Sequence, residues 1–261
     1  MSISIQRIYA VLLRNFYADK RSIIRLTDMA YYPAIDIILL GMTSKWLQNG
    51  ASSKSLLALG TCLVFWQIVA RCNFDISVGT IEELWNRSIT NFFGSPLRLG
   101  EWMIANMLTS IIKCCFIIPY GAFVVWLIYG VNVFTLGWII AMYTVLLLCI
   151  GWTIGFLGAC IILRWGRQAQ STPWMIAFFF IPFCAVYYPI ATLPSVIQKI
   201  SLCIPITHIF ETARNHVLTG IIDWKHLAIG SVLTFVYLGL SMLLFRQLFI
   251  RALQRGLASL E

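Results

Sequence analysis

Six long apolar stretches, near residues 29–47, 56–78, 102–128, 133–163, 172–190 and 226–250, dominate the chain. A helix needs about 20 mostly apolar residues to cross the hydrocarbon core of a bilayer. Backbone N–H and C=O groups find no water there, so a helix, which satisfies them internally, is the form such stretches take. Charge supports the same reading. Only 11% of the 261 residues are charged and 60% are hydrophobic, whereas a soluble domain carries about a quarter charged residues. The expected fold is all-α: a single six-span transmembrane domain over 29–261, preceded by a cytoplasmic amphipathic interface helix within 1–28.

In residues 3–27, Ile5, Ile8, Leu12, Phe16, Ile23 and Leu26 keep one face mostly apolar, with basic residues between them. Such a helix lies in the membrane interface with its cations toward headgroups or a partner. Arg7, Arg14, Lys20 and Arg21 are the interface candidates. Charges so close to the start also argue against a cleavable signal. Orientation follows from Lys and Arg. One side collects Arg7, Arg14, Lys20, Arg21, Arg25, Arg87, Arg98, Arg164, Arg167, Arg246, Arg251 and Arg255, and the other Lys45, Lys54, Lys199, Arg214 and Lys225. Both termini are expected in the cytoplasm. The net charge of +9 then suits anionic lipid; no basic run with interleaved aromatics points to nucleic acid. The 8 cysteines form no CxxC pair or ligand cluster and read as small buried hydrophobes.

Between the second and third spans, Thr80 and Glu83 have capping-box spacing, so a helix is expected to start there and to end before Gly94 and Pro96. It would carry Trp85, Ile89, Phe92 and Phe93 beside Glu82, Glu83 and Arg87, which suits docking into a partner's groove. Between the fifth and sixth spans, Pro182, Pro189, Pro194 and Pro205 cut the chain into pieces. Short helices over 196–202 and 206–218 would make a re-entrant hairpin over 191–220 at the outer mouth of a path. Charges inside spans are candidates by default. Asp36, Arg71, Asp75 and Lys113 would line an inner vestibule; Arg71 and Asp75, four apart, can pair. They read either as a network holding helices together or as a polar receiver for an anionic headgroup. His208, Glu211 and Arg214 recur every third residue in the second short helix, where a hydrogen-bonded network is expected and no metal. Gly151, Gly155 and Gly158 permit close helix approach, within the chain or between copies.

Residues 82–97, EELWNRSITNFFGSPL, resemble the "E…W…(T/N)…N…SPL" coupling-helix stretch of ABC-2 type permeases, the membrane subunits of bacterial ATP-binding-cassette exporters. Residues 188–194, YPIATLP, resemble the family's "YPvsxLP", and residues 205–214, PITHIFETAR, its "P.TH..E..R". The resemblance covers essentially the whole chain. It implies that 82–93 is a coupling helix seated in an ATPase subunit, with 3–27 flanking it. Residues 164–167 would make a lesser contact. The outer gate would include Tyr188, Pro189, Pro194, Thr207, His208, Glu211 and Arg214. It further implies a homodimer of permease copies with two ATPase subunits that bind ATP and magnesium, in the bacterial inner membrane. No cofactor is expected on this chain, which has no GxxxxGK[ST] loop of its own.

The rivals are weaker. An intramembrane protease needs a GxSx turn with a partner histidine, or HExxH, and neither occurs. A secondary transporter or channel is the alternative, but the chain has no evident inverted repeat. The cargo expected from the resemblance is amphipathic or lipid-linked.

Overall fold

The computed structural model describes residues 4–47, 53–85 and 97–254. Every regular element among them is helical. We number the α-helices in chain order: α1 Ile5–Arg21, α2 Ile23–Leu47, α3 Ser53–Trp85, α4 Leu99–Tyr129, α5 Ile139–Trp165, α6 Thr172–Phe180, α7 Ser195–Leu202, α8 Pro205–Thr219 and α9 Trp224–Gln254. Four of these, α3, α4, α5 and α9, are long and apolar enough to cross a membrane. Their 27 to 33 residues make rods of about 40–50 Å.

The centre is the pair α3 and α5, whose apolar windows are mostly buried, while those of α4 and α9 are mostly exposed. Glycines set this contact. A Cβ on Gly151 would lie 2.5 Å from Cys72 Cβ and 2.9 Å from the Val69 carbonyl; one on Gly155 would lie 2.9 Å from Ile76 Cβ. The two backbones therefore meet within the chain along the Gly151, Gly155 and Gly158 stripe. A polar knot sits in this seam. Ser77 Oγ reaches the Gly155 carbonyl at 3.0 Å, and Asn73 Nδ2 donates to the Pro173 carbonyl at 2.8 Å, which brings in α6.

Contacts define two ends of the bundle. At one end α1 meets the beginning of α4: Ser4 N–H donates to Glu101 Oε1 at 2.9 Å. There Phe245 of α9 also stacks on Trp102 of α4 at 5.9 Å. Both described termini thus lie toward this end, which we call the loop end. At the other, hairpin end, the Tyr129 hydroxyl closes α4 against α2 by donating to the Ile37 carbonyl at 2.8 Å.

Several expected boundaries differ. The amphipathic helix does not run to 27: Ser22 is extended (φ −104°, ψ 104°), so α1 stops at Arg21 and the next residues open α2. No helix starts at Thr80. Its hydroxyl donates to the Ile76 carbonyl inside an unbroken α3, because the apolar pattern carries the helix past the capping signal. The span expected from 133 starts later: Gly130 (φ 68°) ends α4, a 3-10 turn spans Val133–Leu136, and Gly137 (φ 65°) precedes α5, which opens at Ile139. The stretch 172–190 is not one helix. α6 has 9 residues, a 3-10 turn Ile181–Phe183 follows, and Pro182 and Pro189 break what comes after. It nonetheless climbs the bundle. Pro173 sits beside Asn73, and Ala185 accepts from Arg214 toward the hairpin end.

The two short helices after Pro194 form as α7 and α8. Their connecting turn reaches down along α9, since Tyr237 Oη donates to the Cys203 carbonyl at 3.2 Å. Tyr237 lies about 20 Å along the axis from the start of α9. Close packing holds the hairpin there: a Cβ on Gly230 would come within 2.9 Å of His208 Cβ.

Candidate functional site

At the loop end, Glu82 and Glu83 occupy the last turn of α3. Negative charge there opposes the helix dipole, and two cations offset it. Arg25 of α2 pairs with Glu82, and Arg14 of α1 pairs with Glu83. Arg7 lies 3.4 Å from Glu101, which is fully buried and also accepts from Arg98 N–H at 3.0 Å. Arg7 and Arg14 thus each meet a carboxylate of the bundle, with the Arg14 side chain still 47% exposed. Lys20 and Arg21 are exposed, as are Ile5, Tyr9 and Phe16. Trp85 closes α3, while Arg87, Phe92 and Phe93 lie outside the described residues.

From Glu82 a ladder of alternating charges runs into the bundle. Arg25 bonds Asp19 at 3.0 Å, Lys113 bonds Asp19 at 2.7 Å and Asp75 at 2.9 Å, and Arg71 bonds Asp75 at 2.8 Å. It joins α1, α2, α3 and α4. Burial alone would lower the basicity of the Arg25 guanidinium, but Asp19 and Glu82 raise it above its ordinary value. Carboxylates and cations balance along the ladder, so it presents no excess positive charge to an anionic ligand. Two orphans remain inside it: Arg71 Nε and Asp75 Oδ2 are buried without a hydrogen-bond partner. Asp36 stands apart and accepts from Gln67 Nε2 at 3.2 Å.

At the hairpin end, Arg214 is the hub. Its Nη2 donates to the carbonyls of Ala185 (2.6 Å) and Val186 (3.0 Å), and its Nη1 to Glu211 at 3.1 Å. Ala185 has φ 52°, a left-handed conformation that an L residue adopts only when its surroundings impose it. Glu211 in turn accepts from Ile190 N–H at 2.6 Å, just after Pro189. Thr207 Oγ1 donates to Phe183 O at 3.2 Å, and Tyr188 Oη to Pro182 O at 2.7 Å. Pro194 precedes α7. His208 bonds the Leu202 carbonyl at 2.8 Å and His226 at 3.3 Å. A cavity of about 160 Å³ opens beside them, lined by Thr207, His208, Glu211, Asn215, Asp223 and His226 among others. Among the described residues no three His, Cys, Asp or Glu gather where they could hold a metal ion.

Sequence reasoning passed over Asp19, which is buried and bridges Arg25 to Lys113. Its one signal was a lone acid among the bases of an amphipathic segment. It also passed over Asn73, Ser77 and Glu101, whose polarity inside or beside apolar runs was available to read. Comparison with protein-family models and with curated proteins gives no match.

Proposed function

We propose that this chain is the transmembrane permease subunit of an ATP-driven exporter of the ABC-2 type, powered by a separate ATPase subunit. The observation that carries the reading is α3. One unbroken helix from Ser53 to Trp85 delivers the segment that resembles the coupling stretch, and α1 and α2 brace its end through Arg14 and Arg25. A push on that segment would be carried along a stiff rod rather than lost in a loop.

In this reading the loop end faces the cytoplasm, as the Lys and Arg distribution favours. α2, α3, α4, α5, the broken segment 172–190 and α9 make six crossings in a bacterial inner membrane. α1 lies in the cytoplasmic interface, with Lys20 and Arg21 toward headgroups and Ile5, Tyr9 and Phe16 toward acyl chains. The α7–α8 hairpin is re-entrant from the outer face and gates a path shared with a second copy. Charge balance along the Asp19, Lys113, Asp75 and Arg71 ladder supports the helix-holding role over reception of an anionic headgroup. The cargo is an amphipathic or lipid-linked molecule; ATP and magnesium belong to the partner.

Co-expression with candidate ATPase subunits and purification in mild detergent tests the proposal. The expected result is a complex containing two copies of each subunit. Trp85→Ala with Phe92→Ala should reduce ATPase recovery at least tenfold while the permease still elutes as a folded dimer. If the ATPase is never recovered with the unaltered chain, a transporter or channel uncoupled from ATP becomes the better reading.

A further inference from the structure

His208 and His226 face each other, Nδ1 to Nδ1, at 3.3 Å. Their surroundings decide where the hydrogens sit. The Leu202 carbonyl, 2.8 Å from His208 Nε2, can only accept, so Nε2 carries hydrogen and the neutral ring's Nδ1 is bare. His226 Nδ1 must then be the donor. A neutral His226 would be left with a bare Nε2, 3.9 Å from an Asp223 carboxylate oxygen, acceptor facing acceptor. A proton on that Nε2 turns the contact into an ion pair and makes the ring-to-ring hydrogen bond charge-assisted. A second proton finds only His208 Nδ1. It sets two N–H donors against each other across 3.3 Å, and the contact breaks.

Access orders the two steps. The side chains of His226 and Asp223 are 46% and 45% exposed, while His208 is buried. The other titratable groups around the pair do not take over its role. Glu211 on α8 is engaged by Arg214 and Ile190 N–H. The Tyr237 hydroxyl on α9 donates to Cys203, and that of Tyr188 to Pro182. Lys199 on α7 and Lys225 on α9 are exposed, and His216 lies on α8 against Tyr143. The opposite side of α8 is held through Arg214 and Thr207 to backbone carbonyls, which imidazole protonation leaves intact. A change at the pair therefore acts on one seam.

We propose that His208 and His226 form a proton-operated latch between α8 and α9: one proton, on His226, tightens it, and a second, on His208, releases it. Imidazole is the side chain whose charge changes between about pH 5 and 8, and two rings in contact titrate in coupled steps. The inference does not rest on the transport reading.

The chain has 3 histidines, so the full-length protein labelled with 15N-histidine in lipid nanodiscs gives three ring systems, assigned with His216→Gln. Two separated steps are expected, His226 before His208. Amide exchange over 205–219, corrected for its intrinsic pH dependence, should slow through the first step. It should quicken about fivefold through the second, the net worth of one hydrogen bond. His226→Gln, at an exposed ring, should abolish both changes in exchange and keeps the test decisive if His208→Gln fails to fold. The latch is overturned if each ring titrates alike whether or not the other is replaced, or if His226→Gln leaves the exchange profile unchanged.

Discussion

Lys113 touches two carboxylates at once, Asp19 and Asp75, and all three side chains are at most 12% exposed. Removing one member of a buried ionic set leaves the others uncompensated, at a cost of about 3–5 kcal/mol. Lys113→Met should therefore lower Tm in detergent far more than Lys199→Met, a change at an exposed lysine. Pairing it with Asp75→Asn should recover part of the loss, because one stranded charge is then gone; an equal or greater loss in the double variant would count against the ladder. Arg214 permits a second test. A lysine there offers a point charge in place of a planar fork, so it cannot hold Ala185, Val186 and Glu211 together. Arg214→Lys should destabilise by about 2 kcal/mol, roughly two charge-assisted hydrogen bonds at partial loss. Proteolysis should then open first near Ala185, where φ 52° is no longer held. The Arg71 and Asp75 pair was legible beforehand because it is local to one helix. The Lys113 and Asp19 contact was not, because it exists only once α1 is laid across α4.

Elements differ in how far local signals governed them. α7 and α8 were readable because prolines both start and separate them. The capping pattern at Thr80 misled because it lies within a helix already committed by upstream apolar residues; propagation adds a bond per residue, while a cap stabilises only an end. The glycine stripe of α5 left a choice between an internal and an intermolecular contact, and only the packing on α3 resolves it. That contact makes a graded prediction. Gly151→Ala and Gly155→Ala would drive a methyl into the Val69 carbonyl and the Asn73 backbone, respectively, and overpacking of this kind costs about 1–3 kcal/mol. Gly239 in α9 has nothing within 4 Å of a Cβ, so Gly239→Ala should be neutral or stabilise by up to about 1 kcal/mol through helix propensity. Thermal unfolding of the three variants side by side checks the order; an equal response at all three positions would mean that α3 and α5 do not approach as described.

For the whole molecule, the parity of crossings turns on the least regular part of the chain. α3, α4 and α5 alternate in direction, and α9 runs the same way as α5, with Phe245 of α9 back beside Trp102 of α4. α5 ends at Trp165 toward the loop end and α9 starts at Trp224 toward the hairpin end, so the residues between them must traverse the bundle. They do so without a full-length helix. α6 rises beside α3, and the broken stretch above it is completed by Arg214, Glu211 and Thr207 from α8. Non-helical backbone is tolerated at membrane depth only where protein satisfies it, and here α8 supplies those partners. The proposed six crossings make residues at the two ends accessible from opposite sides. In a background without reactive native thiols, Lys225→Cys should react with an impermeant maleimide added outside intact cells. Lys20→Cys, exposed on α1 at the loop end, should react only after permeabilisation. The same pattern should survive Arg214→Lys, which loosens the crossing without reversing it. Labelling of both cysteines from one side would require residues 166–223 to return to the face they left, and would overturn the proposal of six crossings.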